Sequence, residues 1–168
     1  MFATLRILHI VCGTFWTGAA LLIAGFMEPT VRALGPDGGR FMQRFMGKSG
    51  FPIAMTGAGF ITLVTGFYLL WAGSGGFAAG WPANNFDLLM ALGGLAGAIA
   101  FFLGIGVNAP TAARLGRLAG EAASRGGPPS AEQQQQIATL QRRLHRAGLA
   151  SATLLLMATA LMAAARVA

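Results

Sequence analysis

The chain has 168 residues, 55% of them hydrophobic and only 10% charged, with a formal net charge of +7. Soluble domains carry about 25% charged residues, so this composition cannot cover a water-facing surface and excludes an ordinary soluble enzyme or binding domain. With a mean hydropathy of +0.62, most of the chain is expected to have lipid as its solvent.

Four apolar runs, at 5–27, 51–71, 86–107 and 147–165, are long enough to cross a hydrocarbon core, which takes about 20 residues of helix. Helix is the required form, because a lone strand would leave its backbone polar groups unpaired in lipid. The predicted fold is all-α, a four-helix antiparallel transmembrane bundle forming one domain over 1–168, with loops at 28–50 and 108–146.

The first run, LHIVCGTFWTGAALL, holds His9, Cys12 and Trp16. It does not read as a cleaved signal, since it has one arginine before it, runs too long and lacks a small-x-small site. Val11 before Cys12 does not suit an acylated cysteine, and a single cysteine excludes a disulfide framework. On a helix, His9, Gly13, Trp16 and Ala20 follow spacings of four, three and four and share one face.

In the first connection, RFMQRFMGK places Arg40, Arg44 and Lys48 on one side and Phe41 and Phe45 on another, a pattern suited to a short interfacial helix. Glu28 is expected to pair with Arg32 or to reach Arg114. The Gly47-Lys48-Ser49 triplet is not a phosphate loop, because Met42 stands where the first glycine must be. The connection between the second and third spans, AGSGGFAAGWPANN, is uncharged and flanked by Trp71 and Trp81 at belt depth. Asn85 is the expected cap of the third span, with Asp87 favoured by the helix dipole.

The last connection carries Arg114, Arg117, Arg125, Arg142, Arg143 and Arg146. Pro128-Pro129 should end any helix leaving the third span, and Ser130 with Gln133 forms a capping box for a helix running through the glutamines into the fourth. His145, among arginines, is expected to be a solvated interfacial residue beside an anionic lipid or phosphate. Ten of the twelve basic residues thus lie in two loops that a four-span chain puts on one side. By the positive-inside rule those loops are cytoplasmic and both termini external, as in a bacterial inner-membrane protein. The basic charge then answers to acidic lipid head groups and not to nucleic acid.

An internal repeat runs through the chain. Pro29-Thr30 with Leu34-Gly35 recurs as Pro110-Thr111 with Leu115-Gly116, and QRFMGKSGF (43–51) parallels QRRLHRAGL (141–149). This predicts a duplicated helical hairpin in parallel orientation, with the halves related by a pseudo-twofold axis along the membrane normal. Superposing the two Pro-Thr pairs sets His9 opposite Met90 and Gly13 opposite Gly94. Gly93 with Gly97 and Gly94 with Ala98 permit close helix contact, within the chain or in a homo-oligomer.

An imidazole inside a span is by default a functional group. His9 with Gly13 as a shelf, Trp16 on the same face and Met90 at equal depth form a candidate haem site, His9 being the axial ligand and Met90 the candidate second one. The plain alternative is that His9 hydrogen-bonds a threonine or a backbone carbonyl on another span. No metalloprotease, catalytic-triad or CxxC pattern occurs, and copper handling would call for methionines more clustered than these eight.

The elements Leu8-His9-Ile10 with Trp16-Thr17-Gly18, VTGFYLLW (Val64–Trp71) and Asn108 resemble CopD-like integral membrane proteins and related families of unknown function. The HemJ-type protoporphyrinogen oxidases are similar in design, and their first-span histidine, implicated in haem b binding, falls on His9. The resemblance implies a four-helix membrane fold and haem b at His9. The chain departs from the HemJ type where AALLIAGFMEP replaces a Leu-Pro-Arg element and where the third span has no lysine, so protoporphyrinogen oxidation is not implied. The expected function is a small inner-membrane haem b protein in electron transfer, or an accessory subunit of a membrane redox complex. The alternative is a cofactor-free or copper-handling transport or packing module.

Overall fold

The computed structural model describes residues 1–125 and 130–167. The order is α1 (Phe2–Leu22), a π-helical turn (Ile23–Met27), α2 (Glu28–Ala33), α3 (Pro36–Lys48), α4 (Phe51–Gly73), α5 (Asn85–Leu103), a second π-helical turn (Gly104–Asn108), α6 (Ala109–Ser124) and α7 (Ala131–Ala164). No strand occurs among the described residues. Among the described residues, four continuous helical rods are long and apolar enough to cross a membrane: Phe2–Ala33, Phe51–Gly73, Asn85–Ala122 and Ala131–Ala164. The protein is an all-α, multi-pass membrane protein.

The rods outrun the apolar segments. At 1.5 Å per residue, the 34 residues of α7 span about 51 Å, against about 30 Å of hydrocarbon. The first third of α7 therefore projects beyond the core together with α6, and the two pack side by side there. The stretches 28–50 and 108–146, expected as loops, are mostly α2, α3, α6 and the start of α7. Alternating charged and apolar residues gave them amphipathic faces that docking on neighbouring helices stabilises.

The two π turns have one cause. Pro29 and Pro110 lack an N–H and would each press on the carbonyl four residues back, at Gly25 and Gly106 in the middle of the π turns. Widening the ladder relieves this, and the Glu28 N–H bonds Ile23 O while the Ala109 N–H bonds Gly104 O, both i to i+5. The following threonines repeat the match: the Thr30 hydroxyl donates to Phe26 O at 2.8 Å and that of Thr111 to Val107 O at 2.6 Å. These four features all obey the register that aligns Pro29-Thr30 with Pro110-Thr111.

Packing follows the same exchange. α1 lies mainly on α4 and α5 mainly on α7, while lesser contacts join α4 to α5 and α1 to α7. Swapping α1 with α5 and α4 with α7 leaves this set unchanged, as a duplicated hairpin requires. The core is Trp16, Ala20, Ala24, Ala58, Ala100, Phe101, Ala152 and Leu155. Its alanines let backbones approach closely, which is how helices gain van der Waals contact where lipid offers no hydrophobic drive.

At the α2–α3 corner, Gly35 takes a φ of 56°, and a Cβ on Gly38 would fall 2.1 Å from Val31 O, so both turn positions require glycine. In α3, Phe41 stacks on Phe45 with centroids 6.0 Å apart, and Phe45 meets Phe51 at 4.8 Å, tying α3 to the start of α4. The cap of α5 is Asn84, not Asn85. Asn84 is the last extended residue, its Oδ1 accepts the Asp87 N–H at 2.9 Å, and Asp87 Oδ2 accepts from the Ala83 N–H at 3.1 Å. Ser130 and Gln133 form the expected capping box of α7, while Pro128-Pro129 lie outside the described residues.

Candidate functional site

His9 faces α4. Its Nδ1 lies 2.9 Å from the carbonyl oxygen of Thr62 and 3.4 Å from Thr65 Oγ1. A carbonyl only accepts, and the Thr65 hydroxyl already gives its proton to Ile61 O at 2.6 Å. Nδ1 must therefore be the donor, and in the neutral ring Nε2 is the bare nitrogen.

Three α4 residues that the sequence reading did not place at His9 make this seat. Thr62 supplies the acceptor and Thr65 lines the ring. Gly66 supplies room, since a Cβ there would lie 2.6 Å from His9 Cε1 and 3.0 Å from Nδ1. A signal for them existed in the order Thr62, Thr65, Gly66, small residues on one helical face. His9 itself is half-buried.

The space beside Gly13 is closed. Its Cβ would meet Thr62 Cγ2 at 3.3 Å, so of the two occupants the shelf could admit, a flat macrocycle or a neighbouring helix, the helix α4 stands there. Trp16 is core: it is 7% exposed, meets Phe101 edge-on with centroids 6.0 Å apart, and covers Gly59, whose Cβ would be 3.0 Å from the indole. Met90 is half-buried on α5, the helix diagonal to α1 in the pairing order, and makes no hydrogen bond with His9. At Gly94, the repeat counterpart of Gly13, an added Cβ would meet Leu70 Cδ2 at 3.7 Å. The structure thus joins His9, Gly13 and Trp16 along one seam and carries Met90 on α5.

A second polar group lies at the far end of α1, where the first π turn meets α7. Glu28 Oε1 is 3.0 Å from Arg32 Nη2 and 3.2 Å from His145 Nδ1. The approach to His145 has ion-pair distance without hydrogen-bond alignment, since that Nδ1 is buried with no hydrogen-bond partner. His145 is thereby corrected from a solvated residue to one packed on a carboxylate, because α7 turns it toward Glu28 and away from the neighbouring arginines. Glu28 takes Arg32, as expected, and not Arg114. At the second π turn, Asn108 Nδ2 donates to Ser151 Oγ at 3.2 Å, and Asn108 Oδ1 is buried without a partner.

Among the described residues no group of three or more His, Cys, Asp or Glu side chains could hold a metal ion. No protein-family model, curated protein or solved structure matches this chain.

Proposed function

We propose that the chain is a small membrane redox protein, or an accessory subunit of a membrane redox complex, that holds haem b through Nε2 of His9. One observation carries the reading: the Nδ1–H bond to the Thr62 carbonyl at 2.9 Å. Ligating histidines commonly donate their other ring nitrogen to a carbonyl, which fixes the tautomer and the ring plane and raises ligand basicity. His9 satisfies that condition inside a span, where an imidazole is costly unless used.

The donor chemistry fits one axial position. Thr62 and Gly66 fill the α1–α4 seam on the Nδ1 side, so a macrocycle would have to lie outside that seam. Bound there, the iron would supply one-electron chemistry. His9 binds and orients it, Thr62 holds the imidazole, and Gly66 keeps the seat flat. The resemblance of the first span to CopD-like proteins supports the same residue. Met90 on α5 stays in the proposal as the candidate second ligand. The concentration of arginines at one end supports an inner-membrane orientation with that end cytoplasmic and both termini external.

The second reading is a cofactor-free packing module, favoured by the closeness of Gly66 on α4 to His9 and of Gly13 on α1 to Thr62. The test is the absorption spectrum of protein purified from haem-replete membranes. A reducible Soret band is expected in the wild type, absent from His9→Ala and kept in His145→Ala. A colourless, helical, monodisperse wild-type preparation would leave the packing reading standing.

A further inference from the structure

Every carboxylate at the basic end has a nearby partner. Glu28 is matched to Arg32 and His145, Asp37 to Arg40, Glu121 to Arg125, and Glu132 to Gln136. What is left over is one-sided. Among the described residues, Arg44, Lys48, Arg114, Arg117, Arg142, Arg143 and Arg146 have no carboxylate within ion-pair reach.

Three of them share a surface. Thr139, Arg142, Arg143 and Arg146 follow helical spacings of three, four and seven and, with Ala147, line an open groove of about 410 Å³. All three guanidinium residues are exposed, and Arg142 donates to the Thr139 hydroxyl at 3.4 Å. Thr139 also belongs to the neighbouring groove between α6 and α7, which carries Arg114 and Arg117.

Depth decides the occupant. Arg146 is the last charged residue before Arg166, so the groove opens where α7 enters its apolar length, with Leu149 exposed just below. We propose that Arg142, Arg143 and Arg146 bind the phosphodiester of an anionic phospholipid, whose acyl chains run along α7 past Ala147 and Leu149. Guanidiniums match phosphate oxygens bidentately, and the apolar floor suits a lipid where a soluble phosphate would gain nothing from it. The inference does not depend on His9.

The test measures binding of labelled phosphatidylglycerol to the protein in phosphatidylcholine nanodiscs. With each interfacial cation worth about 1 kcal/mol, Arg142→Gln/Arg143→Gln/Arg146→Gln is expected to bind roughly 100-fold more weakly. The matched set Arg40→Gln/Arg44→Gln/Lys48→Gln on α3 should lose less than about tenfold, since surface potential falls within a Debye length. Equal losses in both sets would overturn the site in favour of diffuse attraction. Displacement of the lipid by glycerophosphoglycerol, the same head without chains, would overturn the lipid assignment in favour of a free phosphodiester. Should the triple variant not fold, Arg143→Gln alone is expected to weaken binding about fivefold, and unchanged affinity there would refute the proposal.

Discussion

Trp16→Ala should be the most damaging single truncation in the bundle, lowering stability by about 3–5 kcal/mol. The indole is 7% exposed at the centre of the core, lies on the bare backbone at Gly59 and meets the Phe101 edge. Alanine there would open a void walled by alanines too short to collapse into it. Equilibrium unfolding in bicelles measures the loss. Leu156→Ala, at a side chain that is 52% exposed to the surroundings of the bundle, should cost far less. If the two variants were equally stable, Trp16 would not be packed as described.

Gly66→Ala is the second large effect, and it couples packing to the site. The added methyl would stand 2.6 Å from His9 Cε1 and 3.0 Å from Nδ1, on a ring held by a 2.9 Å bond to Thr62 O. The imidazole cannot swing aside without breaking that bond, so overpacking should cost about 1–3 kcal/mol. Disturbing the partner that orients a ligating histidine commonly lowers metal affinity about 10–100-fold, so the Soret band expected of the wild type should weaken with it. Gly57→Ala on the same helix is the control, because a Cβ there meets nothing within 4 Å. It should be neutral or slightly stabilising, since alanine is the better helix former.

How legible was this in the sequence? The spans were legible because twenty-residue apolar runs have one stable form in lipid. The duplication was legible because Pro29-Thr30 and Pro110-Thr111 are local motifs, and a local cause produced equal π turns at both places. Helix ends beyond the membrane were not, since α2, α3 and α6 are held by contacts with other helices and no single window encodes those contacts.

At the site, His9 and its inward face could be read from spacing alone, and so could the bland alternative that it bonds a carbonyl on another span. Which carbonyl it is depends on the register of α1 against α4. That register is set by Gly13 meeting Thr62 and Gly66 receiving His9, contacts between residues 49 and 57 positions apart along the chain, by subtraction of their numbers. For Met90, repeat symmetry gives equal depth with His9 and nothing more, while α1 pairs mainly with α4 and α5 with α7, and His9 turns to α4. His145 was misread because its neighbours in sequence are arginines, whereas its neighbour in space is Glu28.

The most direct measurement is the protonation pattern of the His9 imidazole, by ¹⁵N magnetic resonance of histidine-labelled protein in bilayers, with His145→Gln removing the other signal. The predicted result is a proton on Nδ1 and none on Nε2, with the Nε2 resonance displaced when reduced haem b is present. A proton on Nε2 beside a bare Nδ1 would contradict the bond to the Thr62 carbonyl, and with it the nitrogen assigned to the iron.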